Sequence, residues 1–378
     1  MAFNLFLILI FIRPLISSPA FSLLNIIHTS LLFVILAALF LQNGAPIKKI
    51  GKLKYPLGLF IISIIISVIF SMDKKTSLSE LYKYALGIML FIFALSLSEK
   101  NKGRLIRVIV FSGFIIGILA INQYLFGFSH LASYIKKQNI TNTFVLDYIS
   151  YRRAFFPFVT PNALAGYLAM IIPLIFVKIT EKNDRKDNKD VWLILLVTSI
   201  ALFLTKSLSA VFALTSGILI FLYLKRGASK KSLWAYWITL ALLIILFLLR
   251  TACAKEQASP LFSISQRLIY WQDTWGVIKS SPLVGIGIGN LNIKLSQYAH
   301  NSYLQLWAET GILGLVSFGW LLITIFKSAI NNIKNNPNQK KYALLITACI
   351  IFLIQNLFDF TFFLPEVSFI WWALLGLF

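Results

Sequence analysis

Residues 22–42 read SLLNIIHTSLLFVILAALFLQ, a run without a single Asp, Glu, Lys or Arg. About 20 mostly apolar residues suffice for a helix to cross a bilayer, and this run is of that length. Comparable runs follow nearly end to end, at approximately 3–19, 56–72, 79–98, 104–126, 161–180, 191–205, 208–224, 233–250, 301–326, 342–359 and 364–378. The composition agrees: of 378 residues, 58% are hydrophobic and only 13% charged, about half the share usual in soluble domains. Backbone polar groups inside lipid must be satisfied within the segment, so these runs are expected to be helices. No alternation of the kind a barrel strand needs is present. The expected fold is an all-α integral membrane protein of about twelve spans, with no room for a sizeable soluble domain. The N-terminal residues resemble a signal peptide in length but open without Lys or Arg, and read as a first membrane helix.

The net charge of +22 raises the question of nucleic acid. The basic residues, however, fall in short gaps between apolar runs, so no nucleic-acid partner is expected. Their distribution instead orients the chain. With the N-terminus inside, the connections 43–55, 99–107, 178–190, 225–231 and 327–341 hold 21 Lys and Arg, against 13 in the longer outer connections. Both termini are therefore expected inside. The chain divides into N-terminal spans (1–126), a first long outer loop (127–160), central spans (161–250), a second outer loop (251–300) and C-terminal spans (301–378). Within the second loop, SQRLIYWQDTWGVIKS (265–280) sets Leu268, Trp271, Trp275 and Ile278 at helical spacing, which predicts an amphipathic helix at the interface.

Groups able to do chemistry are few. Cys253 and Cys349 have no metal-ligand spacing, and no HExxH, GxSxG or paired carboxylates at helical spacing occur. Of three histidines, His28 lies in an apolar run and reads as a packed or interfacial group, and His130 has no motif around it. His300 stands where the second outer loop meets a membrane helix. Continued as a helix at about 100° per residue, it shares its azimuth with Leu304, Trp307, Gly311 and Gly314, while Glu309 projects from the opposite face. Arg153, Lys206 and Arg267 are cations on the side that the positive-inside bias disfavours, open either to anion binding or to snorkelling toward headgroups. Arginine suits a diphosphate better, because its planar fork makes bidentate contacts. SPLVGIGIGNLN (281–292) has the glycines of a phosphate loop without the nucleotide spacing, and is read as a tight turn.

Three ordered segments resemble the O-antigen ligase and polymerase superfamily: RAFFPFVTPNALAGYL (153–168), RLIYWQDTWGVIKSSPLVGIGIGN (267–290) and HNSYLQLWAETGILGL (300–315). The terminal NLFDFTFFLPEVSFIWWALLGL (356–377) is also similar. One departure is LTKSLSA (204–210), where Leu208 stands in place of the arginine usual in the family and Lys206 is the nearest cation. The resemblance implies metal-independent, inverting glycan transfer without a cofactor, from an undecaprenyl diphosphate carrier, at the periplasmic face of a bacterial inner membrane. The acceptor it implies is lipid A–core, with polymerisation or another acceptor as the alternative. It further implies His300 as the base and Arg153, Arg267 and Lys206 as diphosphate contacts. Asn162, Trp271, Gly287, Asn301 and Glu309 are the supporting positions in these motifs. A transporter without chemistry is the more distant alternative. The clustering of candidate groups at one surface, rather than in the membrane core, speaks for the enzyme.

Overall fold

The computed structural model describes residues 1–44, 50–139, 143–181, 189–224, 260–335 and 339–378, with scattered positions between 234 and 248. The expected span 233–250, apart from those positions, and Cys253 lie outside the described residues. Every regular element among the described residues is helical; an isolated bridge between Ile293 and Ser296 closes one turn.

In chain order the helices are α1 (Ala2–Ile12), α2 (Ser22–Asn43), α3 (Lys54–Ile69), α4 (Lys74–Ser96), α5 (Glu99–Asn122), α6 (Phe128–Lys137) and α7 (Thr143–Ser150). There follow α8 (Pro161–Glu181), α9 (Lys189–Leu204), α10 (Leu208–Leu224), α11 (Pro260–Ser280), α12 (Ser302–Asn335), α13 (Gln339–Gln355) and α14 (Pro365–Leu375). Among the described residues, five stretches are long and apolar enough to cross a membrane: 22–42, 51–69, 74–96, 99–137 and 302–333. The apolar helices at 2–15, 161–177, 208–224 and 365–375 are shorter. The run 364–378, expected as a span, forms the 11-residue α14, which reaches about 16 Å against a hydrocarbon thickness of about 30 Å. All of α14 is buried, with Trp371 and Trp372 among the largest enclosed side chains. It is an internal plug resting on α4.

Lipid is as apolar as leucine, so helices in a membrane associate through close fit rather than through the hydrophobic effect. The contacts show this. A Cβ on Gly217 of α10 would stand 2.4 Å from Ile351 of α13, and one on Gly87 of α4 would stand 2.5 Å from the ring of Trp372. Around the centre, α8 packs on α13, α13 on α10, and α9 on both α5 and α8, while α12 packs on α3. Leu23, Ile26, Ile27, Phe33 and Val34 of α2 remain exposed, as lipid-facing positions should.

Arg13, in the turn after α1, is fully buried. Its guanidinium pairs with the equally buried Glu366 at 3.4 Å and donates to Asn25 Oδ1 (2.9 Å) and to the Ile16 carbonyl (2.9 Å). His28 belongs to the same cluster, with Nε2 3.0 Å from the Leu9 carbonyl. Its reading as a packed group holds.

Candidate active site

The segment of the second long loop read as an amphipathic helix forms α11, and the face it packs on the protein only partly overlaps the stripe of Leu268, Trp271, Trp275 and Ile278. Leu268 and Trp275 are 49% and 43% exposed, whereas Tyr270, Thr274 and Ile278 are buried. Tyr270 and Ile278 pack with Leu291, Ile293, Ala299 and Ala308, and with the half-buried Trp271 and Trp307. The loop thus folds back on its own following helix. That stripe, offset from the expected one, carries Arg267 inward.

The glycine segment is a tight turn, as its spacing suggested. Gly285, Gly287 and Gly289 all have positive φ, and Gly287 lies so close to Ser71 that a Cβ would stand 2.3 Å from its hydroxyl. The turn is stitched to α12 by Ile286 N–H to the Ala308 carbonyl (2.9 Å) and Gly287 N–H to the Glu309 carbonyl (3.1 Å). Asn290 ties it to α4, donating to Ser71 and Ser77.

The helix expected to run unbroken from His300 does not. It begins at Ser302, capped by Asn301, whose Oδ1 accepts from Tyr303 N–H (3.0 Å) and Leu304 N–H (3.1 Å). It is interrupted at Gly311 (φ 68°, ψ −179°), where the Leu283 carbonyl would lie 2.0 Å from a Cβ. Gly311 therefore admits the loop backbone. His300 precedes the cap with φ 51°, a conformation that costs a non-glycine residue about 1–3 kcal/mol and marks a constrained site. Its ring stacks on Tyr270 (centroids 5.2 Å apart) and meets Phe360 edge-on (4.8 Å). Its ring nitrogens make no hydrogen bond to a described residue. Burial, and then the positive charge of Arg267, push its pKa down to about 3, so the imidazole is neutral at ordinary pH.

Arg267 is half-buried. Its Nε donates to the Phe358 carbonyl (3.1 Å) and Nη1 to Ser263 Oγ (3.1 Å). Arg153 donates through Nε to the Thr205 carbonyl (3.0 Å) and through Nη2 to Asn162 Oδ1 (3.1 Å), and lies over the Tyr148 ring. Asn162, on the first turn of α8, also accepts from Ser207 Oγ (2.9 Å). The segment preceding α10 thereby docks on Arg153. Lys206 sits there with φ 53°, its Nζ donating to the Tyr151 carbonyl (2.7 Å).

A residue not singled out from the sequence joins these groups. Asp359, fully buried in the loop between α13 and α14, interacts electrostatically with both Arg267 and Arg153. It makes no ion pair within 4 Å with either. Its Oδ1 accepts the Phe360 N–H (2.9 Å) and its Oδ2 accepts from Gln355 Nε2 (3.2 Å). The same loop reaches the His300 side, because Ser302 Oγ donates to Asn356 Oδ1 (2.6 Å) and its N–H to the Asn356 carbonyl (2.9 Å). Two guanidinium groups, one imidazole and a carboxylate thus belong to one constellation. A lone acid in the apolar run NLFDFTFF was the available signal, since an ionisable group in such a run is costly unless used.

Glu309 does not touch the His300 ring. It is buried on α12 and accepts from Gln305 Nε2 (2.8 Å), while Gln305 Oε1 accepts the Ala299 N–H (3.2 Å). It steadies the residue before His300 through that relay. Trp271 packs in the small cluster beneath α11.

Residues 193–319 match the O-antigen ligase family model. No curated protein and no solved structure matches the chain. The matched segment contains Lys206, Arg267, Trp271, Gly287, His300, Asn301 and Glu309, and stops short of Arg153, Asn162 and Asp359. That segment, with its arginine, its glycine turn and its His-Asn helix start, is similar to the O-antigen ligase family.

Proposed function

We propose that this protein transfers a glycan from a polyprenyl diphosphate carrier to a sugar hydroxyl at the periplasmic face of a bacterial inner membrane. The observation that supports this most is a neutral imidazole, whose nitrogens have no partner among the described residues, within electrostatic reach of the Arg267 guanidinium. A base must be unprotonated and within reach of an incoming hydroxyl. A departing diphosphate needs fixed cations at the oxygen where charge builds.

In this reading the acceptor oxygen attacks the anomeric carbon as the bond from that carbon to the diphosphate oxygen breaks. The acceptor proton passes to His300, and the electron pair of the broken bond leaves with the diphosphate, held by Arg153 and Arg267. Lys206 adds positive charge on the Arg153 side. Asp359 lowers the repulsion between the two arginines without occupying their donors. Direct displacement inverts the anomeric configuration. The arginines supply the charge compensation that a metal ion supplies in other transferases, so the reaction as drawn requires no metal and no nucleotide.

The test is transfer in vesicles containing the full chain and an undecaprenyl diphosphate-linked glycan, with lipid A–core or a second lipid-linked glycan as acceptor. His300→Ala should abolish transfer while leaving thermal unfolding unchanged; undiminished transfer would remove the histidine from the mechanism. Product on lipid A–core marks a ligase, and a longer lipid-linked glycan marks a polymerase.

A further inference from the structure

We propose that Tyr298, Glu80 and Lys83 form the subsite that receives the acceptor sugar, on the side of Phe360 away from the arginines. This rests on the reading of the chain as a glycan transferase, and identifies where the second substrate docks.

Two charged side chains lie outside the site described above. Glu80 and Lys83 pair with one another on α4, a helix long and apolar enough to cross a membrane. Ionisable groups in such a helix are costly and mark function unless they serve a structural contact. Both lie near the loop end of α4, where the glycine turn docks. Ser77 donates to the Ile288 carbonyl (2.8 Å), and Gly289 abuts the Glu80 side chain, which a Cβ there would approach to 2.5 Å. Their side chains are 16% (Lys83) and 29% (Glu80) exposed, so they remain open to a ligand.

Aromatic contacts connect this pair to the base. Tyr298 stacks on Phe360 with centroids 4.1 Å apart and rings 14° from parallel, and the edge of Phe360 meets His300. The Tyr298 hydroxyl lies within electrostatic reach of Lys83, Glu80, Glu366 and Glu309. On the other flank, His300 and Asp359 sense Arg267. The polar groups therefore fall into two sets that meet at His300 and Phe360. One is cationic and built on the Arg153 and Arg267 segments. The other is mixed in charge, with a half-buried aromatic ring beside a carboxylate and an ammonium.

The second set has the chemistry that recognises a sugar. An aromatic face covers the apolar C–H side of the ring, a carboxylate accepts from hydroxyls, and an ammonium donates to ring and hydroxyl oxygens. Its position fits the stereochemistry as well. Inversion requires the attacking hydroxyl and the leaving diphosphate on opposite faces of the anomeric carbon, with the base beside the hydroxyl. An acceptor held by Tyr298, Glu80 and Lys83 reaches His300 from the side away from the arginines.

The experiment is a two-substrate kinetic analysis in vesicles holding the full chain. Its probes are undecaprenyl diphosphate-linked glycan as donor and whichever of lipid A–core or lipid-linked glycan the wild type extends. Glu80→Gln, Lys83→Met and Tyr298→Leu should each raise the acceptor KM by about 10- to 100-fold, the loss expected of a hydrogen bond to a charged group or of a stacking face, with donor KM unmoved. Acceptor KM at the wild-type value in all three variants would overturn the subsite. If Glu80→Gln or Lys83→Met lowers the unfolding temperature, Tyr298→Leu carries the test, because Tyr298 takes no part in an ion pair. Failure of the underlying reading looks different: the wild-type chain itself would then transfer glycan to neither acceptor.

Discussion

At the scale of single residues, His300 combines two demands that pull apart. Its burial and the neighbouring Arg267 keep it neutral, with a pKa near 3, so it is always ready to accept a proton but holds one weakly. A bound diphosphate changes this, because two or more negative charges beside Arg267 offset the guanidinium and raise the basicity of the imidazole. The sign of the pH dependence follows. Activity requires the neutral ring and falls as pH drops through its pKa. The acid limb of kcat/KM, which reports the free enzyme, should lie well below pH 6.5, and that of kcat should lie higher. Identical limbs in both profiles would break the link between donor binding and the base. Arg267→Lys is the companion test. Lysine keeps the charge but loses the fork, and with it the bonds that orient Arg267 on Phe358 and Ser263. The expected outcome is a fall in kcat/KM of about 10²- to 10³-fold, measured by initial rates of transfer.

Among elements, α12 shows how a helix and a loop are locked together, and where sequence reasoning stops. Gly311 has a φ, ψ pair open to glycine alone, and the Leu283 carbonyl fills the space where a side chain would begin. Gly311→Ala should therefore destabilise by at least the 1–3 kcal/mol of backbone strain and detach the loop that carries Arg267. Gly319→Ala on the same helix meets open space, and should be neutral or stabilising by up to about 1 kcal/mol. Unfolding midpoints in detergent, read beside transfer rates, check both. The helices themselves were legible because apolar runs broken by charge clusters leave few alternatives: α2, α8 and α10 begin at Ser22, Pro161 and Leu208, where the runs at 22, 161 and 208 begin. The break at Gly311 was not legible, because a helical stripe through His300, Gly311 and Gly314 is equally consistent with an unbroken helix. Only the docking of residues 282–287, far along the chain, selects the kink. The resemblance points to Arg267 as a diphosphate contact, but the face it shares is not legible in the sequence, since Leu268 and Trp275 offer the larger apolar surface and nonetheless stay exposed. Asp359 is not legible for a related reason: one acid in an apolar run has no spacing to match, and its meaning comes from two arginines more than 90 and 200 residues away.

Across the whole molecule, the Arg13–Glu366 pair joins the turn after α1 to the start of α14, 353 positions apart. Both side chains are 0% exposed, so salt screens the pair little. Ser18 N–H also donates to Glu366 Oε1 (3.3 Å), and Asn25 extends the cluster to the Tyr82 hydroxyl (3.1 Å). The segment that carries Asp359 and Phe360 ends where α14 begins, so whatever fixes α14 also fixes one wall of the candidate site. Removing one member of such a pair strands the other charge in an apolar interior, at a cost of about 3–5 kcal/mol. Glu366→Gln should therefore lower the unfolding temperature in detergent and reduce transfer together, unlike His300→Ala, which should reduce transfer alone. The double variant Arg13→Met with Glu366→Met removes both charges, and should recover most of the stability lost in either single variant. Should the double variant unfold at or below the temperature of the singles, hydrogen bonds to Asn25, Ile16 and Ser18 would outweigh the ion pair as the link between the two ends of the chain. Recovery of stability without recovery of transfer would show instead that Glu366 sets the position of the Asp359 loop more finely than hydrophobic contact can.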